Sequence, residues 1–427
     1  MKARLLAAAM GAATVLGGGN AFAADLGGNC CADLEERIAE LEATTARKGN
    51  RKVSLTITGW VSSQLYWFDD GVESNVYVVD NHNDLSSNVK FTGSAQISPG
   101  WKAGYSLWIY TNGPSSLVAN EDWDAPGGQR GWGLNVENSY WFIQSDTLGK
   151  LSVGKQSLAA DNAALGTDFS GTLFPANGVT FDGGALAINV NGAFTGARWM
   201  NVAFWCEHAG VGIGNDCAGG RLNGVRYDTP TFAGFTLGAS WGEDDYWDIA
   251  LRYSGEFSGF KLAFATAYSE STDPDILGTG ANTNDNQYFQ IGGMVKHLAS
   301  GLWVHGTFGK NFIDNTPGNH GPQPDITGWY LKAGWTTKFS SLGNTHFYGE
   351  YGRNEDAFEF NQTIFGQRVV SSDADRFGLG VVQEIDAAAM SLWAKWRHHE
   401  LDGTLVNGAS FEADDVDMFL AGAVIFY

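Results

Sequence analysis

The chain has 427 residues, 57 of them glycine, with 13% aromatic and only 17% charged side chains. Nine prolines and low charge exclude a disordered or linker-rich chain, and the lack of any apolar run of 18 or more excludes a helical membrane protein. A net charge of −21 argues against a nucleic-acid partner.

At the N-terminus, Lys2 and Arg4 precede a short apolar stretch that ends at Ala21-Phe22-Ala23. This is the layout of a secretory signal, so residues 1–23 are expected to be removed on export. The four cysteines suit an oxidising compartment. Cys206 and Cys217 are expected to close a loop disulfide, while Cys30 and Cys31 are adjacent and remain unassigned. No pair has zinc-ligand spacing, and neither a metal nor a cofactor is expected. Residues 24–51 read as a periplasmic helix. Cys31, Leu34, Ile38 and Leu41 make a seam at coiled-coil spacing, with Glu35 and Glu36 in the first turn and Arg47 and Lys48 in the last. The seam fits a short stalk or a helix packed on the body that follows. Lys48, Arg51 and Lys52 form a basic collar suited to lipid headgroups, to an acidic wall polymer such as peptidoglycan, or simply to solvent.

From residue 52 to 427 the dominant signal is period-two alternation. Sixteen such segments lie near 53–68, 86–97, 101–111, 134–145, 150–156, 221–228, 235–242, 246–254, 260–269, 287–296, 302–311, 327–338, 345–352, 376–385, 388–399 and 416–427. Seven connections are tight and alternate with eight others, most of them long. One face is apolar and uncharged, and includes Ile57, Phe91, Ile97, Phe142, Leu237, Ile249, Phe264, Leu331, Leu379 and Phe419. In hydrocarbon an unpaired backbone group costs several kcal/mol, so strands span only as a closed ring. An even strand number with short turns at one end and long loops at the other predicts an all-β, sixteen-stranded antiparallel transmembrane barrel of the outer-membrane type. Lys155 resists, because it shares parity with Leu151 and Val153. Either Gly154 carries a bulge or Lys155 stands above the lipid band.

The second face carries twelve basic and five acidic groups, whereas the eight non-tight connections together carry −28. A packed core could not hold so many ionisable groups, but a water-filled lumen can. The third long connection, about 157–220, is long enough to fold into the barrel. Its Asp161, Asp168 and Asp182 are predicted to face the wall groups Lys90, Lys332, Arg376, Lys395 and Arg397 across a constriction. An acidic mouth draws cations and a basic wall draws anions, so the sign of selectivity stays open.

The chain resembles the trimeric outer-membrane porins of alphaproteobacteria, the rhizobial and brucellar kind. The resemblance is carried by Cys31-Ala32-Asp33-Leu34-Glu35-Glu36-Arg37-Ile38-Ala39-Glu40-Leu41-Glu42 and by Arg47 to Lys52. It continues at Val225-Arg226-Tyr227-Asp228-Thr229-Pro230 and from Phe377 to Ala388. It implies a homotrimer in outer-membrane lipid and lipopolysaccharide, passing small hydrophilic solutes and ions passively, with the third loop inside. Ile425-Phe426-Tyr427 resembles the aromatic end of such barrels, although many of them end in Phe.

Three other functions compete. Gly238-Ala239-Ser240-Trp241-Gly242 matches a hydrolase motif that needs a strand-to-helix elbow, and His398-His399-Glu400 is a short metal-like cluster. Inward Trp60, Trp108, Trp303 and Trp393 would suit a sugar-selective channel. The helix and collar would suit a tether to the cell wall.

Overall fold

The computed structural model describes residues 52–81, 85–122, 133–176, 182–202, 221–242, 246–271, 286–313, 324–358 and 363–427. The expected signal segment, the expected helical seam at Cys31, Leu34, Ile38 and Leu41, and the expected Cys206–Cys217 disulfide lie outside them.

Sixteen strands form the wall: β1 (Thr56–Asp69), β2 (Asn88–Ser98), β3 (Trp101–Asn112), β4 (Gly133–Ser145), β5 (Gly149–Ser157), β6 (Arg221–Asp228), β7 (Phe235–Gly242), β8 (Trp247–Phe257), β9 (Phe260–Ser271), β10 (Asn286–His297), β11 (Leu302–Ile313), β12 (Ile326–Ser340), β13 (Gly343–Glu355), β14 (Gln367–Ile385), β15 (Met390–Leu405) and β16 (Val416–Phe426). Every strand pairs antiparallel with its sequence neighbours, and β1 pairs with both β2 and β16. The sheet therefore closes on itself and leaves no edge, as hydrocarbon demands. The carboxyl end seals the ring: Tyr427 and Gly59 exchange backbone hydrogen bonds of 3.0 and 3.1 Å.

All sixteen alternating segments are strands. Two run longer than their alternation, β14 beginning at Gln367 and β15 continuing to Leu405. The reason is packing. Above the membrane level Val369, Leu401 and Leu405 join Tyr66, Phe68, Leu186, Ile188, Trp199, Met418 and Leu420 in an apolar cluster, so the polar inner face stops there.

The outer face carries Ile57, Leu237, Ile249, Leu331, Leu379 and Phe419 exposed, an arrangement suited to lipid. Phe142 is a correction. Register shifts where Trp108 and Ile109 of β3 meet Asn138 and Val136 of β4, which makes Glu137 a bulge and reverses parity beyond it. Trp141 and Ile143 face outward, while Phe142 pairs with Ser152 and points into the lumen. No register shift occurs at Gly154. Lys155 keeps its outward parity, and its ammonium donates to the Val136 carbonyl at 2.8 Å, beside the bulge.

Candidate functional site

The third connection joins β5 to β6, and its residues 159–176 follow the inside of the barrel from β7 to β15. The Ala159 amide donates to Ser240 Oγ on β7 at 2.7 Å, and the Ala160 amide to Asp248 Oδ2 on β8 at 2.8 Å. Gln290 on β10 brackets the next turn, donating to the Ala160 carbonyl at 2.9 Å and accepting from the Ala164 amide at 2.8 Å. Thr167 Oγ1 lies 3.1 Å from His305 Nε2 on β11. Asp168 meets Lys332 on β12, and Gly171 lies against the His346 ring on β13. Lys395 on β15 donates to the Pro175 carbonyl at 2.7 Å, and Arg397 to the Ala176 carbonyl at 3.0 Å.

Small residues allow this approach. A Cβ at Gly292 of β10 would overlap the Ala164 backbone, and Gly171 has φ +89°, where side chains are strained.

Two buried charge clusters hold the loop against β12 and β15. Lys332 Nζ is 2.5 Å from Asp168 Oδ2. Asp182 binds Lys395 Nζ at 2.5 Å, accepts from Arg397, and accepts from Ser116 Oγ at 2.5 Å. Arg397 also reaches Glu350 Oε1 at 2.8 Å, so every charge here has a partner. Burial by itself would raise both aspartates. The cations beside them outweigh it, holding the Asp168 carboxyl well below its usual range and the Asp182 carboxyl at about 2.

The structure therefore joins five of the eight predicted constriction residues, as contact pairs shut off from water. Asp161 instead lies 3.8 Å from Arg221 on β6 and accepts from Ser157. Arg376 donates to Asn354 Oδ1 at 2.7 Å beside buried His399. Lys90 stands on another wall, 5.3 Å over the Trp108 ring.

That other wall is less covered. From β8 to β15 the inner-face groups Asp248, Gln290, His305, Lys332, Glu350, Lys395 and Arg397 are each less than a tenth exposed, while Arg252, Lys261 and Lys296 nearer the tight turns stay part-exposed. Along β2–β6, Lys90, Trp108, Tyr140, Phe142, Lys150, Arg221 and Arg226 remain part-exposed, and Lys102 is exposed. Lys150 sits 4.9 Å over Phe142 and 5.3 Å over Tyr140, and Arg221 pairs with Glu137 at 2.7 Å. Lys150 and Arg221 escaped the sequence reading. Lys150 shares parity with polar Ser152 and Gln156, and that signal would have found it.

Of the four inward tryptophans, Trp303 and Trp393 are packed with Met294, Tyr348 and Val382, while Trp60 and Trp108 meet edge-on at 5.9 Å on the part-exposed side. Ser240 lies within β7 rather than on an elbow, with its hydroxyl engaged by Ala159. His398 touches Asp417 and Glu400 on the outer face, whereas His399 is buried against Trp199 on the inner one.

A closed ring of sixteen strands, apolar without and charged within, narrowed by a loop laid on its inner wall, defines an outer-membrane channel. The chain belongs to the Gram-negative porin family, which residues 7–393 match. No curated protein matches it by sequence. It is similar in fold to the anion-selective porin from Comamonas acidovorans, at 15% identity and TM-score 0.55, with 88% of this chain and 100% of that one covered. It is likewise similar to OmpF of Salmonella typhi in complex with daunomycin, at 12% identity and TM-score 0.53, covering 89% and 99%. The outer membrane channel DcaP of Acinetobacter baumannii aligns at 10% identity and TM-score 0.50, covering 90% and 100%.

Proposed function

We propose that the chain is a passive, water-filled outer-membrane channel for small hydrophilic solutes and ions, constricted by its third connection, and that it favours anions. One observation carries the selectivity. The loop carboxylates Asp168 and Asp182 are neutralised in contact pairs, whereas the part-exposed wall of β2–β6 offers five basic groups against Glu137 and Asp228. A solute in the remaining space meets a positive wall and little opposing field. Similarity in fold to the anion-selective porin from Comamonas acidovorans supports the same sign.

Membership of the alphaproteobacterial branch and a homotrimeric assembly in lipid and lipopolysaccharide belong to this proposal. They are supported by the resemblance of residues 31–42 and 47–52. So do removal of residues 1–23 on export, a peptidoglycan contact by the basic collar, and the absence of catalysis, the last supported by the engaged hydroxyl of Ser240 within a strand.

Planar-bilayer recording under a potassium chloride gradient tests the reading. Discrete conductance steps are expected, with a reversal potential of the sign set by chloride. Purified protein that inserts without conducting would overturn the channel, and a potassium-signed potential would overturn the selectivity.

A further inference from the structure

The part-exposed wall is ordered as well as positive. On its inner face successive cross-strand rungs run Lys90 with Trp108, then Ser106 with Tyr140, then Gly104 with Phe142, then Lys102 with Gln144 and Lys150. Rungs two residues apart are separated by about 6.6 Å, so the series spans on the order of 20 Å along the strands. Cations thus stand at both ends of a run of aromatic rings. Lys90 lies 5.3 Å over Trp108, and Lys150 lies 4.9 Å over Phe142. The rings are set low on the wall. Ser106 and Gly104 sit opposite Tyr140 and Phe142, and the Phe142 ring lies so close to Gly104 that a Cβ there would overlap it.

Among the described residues, no carboxylate comes within 4.0 Å of Lys90 or Lys150, so both ammonium groups face the lumen without an ion pair. A bare inorganic anion would use the lysines and gain nothing from the rings. A neutral sugar would use the rings, but it would find Glu137 and Asp228 already paired with Arg221 and Arg226 rather than free to accept its hydroxyls. The chemistry that uses both is a carboxylate carried on a planar ring: the carboxylate engages a lysine while the ring stacks on its aromatic neighbour.

We propose that the β2–β6 wall is a binding track for small aromatic carboxylates, with Lys90 and Trp108 forming one station and Lys102, Lys150, Phe142 and Tyr140 the next. The inference rests on the channel reading and adds a solute class to it. Two weak stations in series suit transport, because a solute must leave as readily as it enters.

The test is single-channel current block by benzoate, with acetate, benzyl alcohol and maltose as comparisons. Benzoate is expected to block saturably, at a concentration at least tenfold lower than acetate or benzyl alcohol. Phe142→Leu with Tyr140→Leu, which keeps apolar bulk and removes the ring faces, should lower the benzoate-to-acetate affinity ratio at least fivefold. Lys150→Gln should weaken both carboxylates. Equal block by benzoate and acetate, an unchanged ratio in the leucine variant, or tighter block by maltose would each overturn the track. Absence of any current in potassium chloride would instead overturn the channel reading itself, so the two failures are distinct. Unboiled gel mobility of each variant reports whether the barrel has folded, and Phe142→Leu alone replaces the double variant if that one does not.

Discussion

Lys332 Nζ lies 2.5 Å from Asp168 Oδ2, and neither side chain is more than 1% exposed. The pair ties the first part of the third connection to β12, and the Trp303 and Tyr348 rings each lie 5.8 Å from the ammonium. Two charges so placed gain little over an apolar pair, yet either alone is costly.

Asp168→Asn is therefore expected to destabilise the folded barrel by about 3–5 kcal/mol, because it leaves Lys332 buried without its counter-charge. The double variant Asp168→Asn with Lys332→Met should lose clearly less than the sum of the single losses. Guanidinium unfolding in detergent measures this cycle. Additive losses would mean that the two groups do not interact.

The same anchors set an acid limit. Asp168 and Asp182 lie on the loop, and both titrate below the ordinary 3.8, with Asp182 at about 2. A carboxyl with a lowered folded pKa binds fewer protons folded than unfolded. Its contribution is complete above the unfolded pKa and is lost as pH falls through the folded one. Thermal stability and current noise should thus stay flat between pH 7 and 5 with respect to these groups, and worsen between about pH 4 and pH 2. Asp182→Asn should flatten that acid-side slope, which a melting series over pH would read.

Neighbouring residues on one strand separate oil from water. Leu331 is 47% exposed on the outer face, next to wholly buried Lys332 on the inner one. Leu331→Arg is expected to cost about 1–2 kcal/mol in a bilayer, below the full midplane penalty because the Arg353–Asp375 pair stands on the next rung of the outer face, and less in a soft micelle. Unfolding in vesicles against unfolding in detergent checks the difference.

The barrel was legible because each strand faces oil on one side and water on the other, which writes a period of two into the chain. Phe142 went astray because one bulged residue, Glu137, reverses parity, and a bulge leaves no mark in composition. The upper parts of β14 and β15 were missed because an apolar cluster buries their inner faces, so alternation ends while pairing continues. The loop's carboxylates could be named from the sequence. Their partners depend on which strand each loop residue passes, and nothing periodic encodes that path. Hence Asp168 and Asp182 meet wall cations in dry contact pairs, Asp161 meets Arg221, and the basic groups left in reach of water include those of β2–β6.

Two adjacent glycines on β10 test the path of the loop directly. Gly292 points inward, where a Cβ would overlap the Ala164 backbone, and Gln290 two residues earlier holds the same turn of the loop by two hydrogen bonds. Gly293 points outward, and a Cβ there meets its nearest atom, the Ala263 carbonyl oxygen, at 3.4 Å. Gly292→Val must push the loop off β10 or distort the strand, a cost of about 1–3 kcal/mol for overpacking. Its effect should appear both as a lower melting temperature and as a changed single-channel conductance, since the displaced loop bounds the solute path. Gly293→Val adds a β-branched side chain to a lipid-facing strand and should leave conductance within error. Equal conductance in both variants would mean that the Ala164 turn does not border the open lumen.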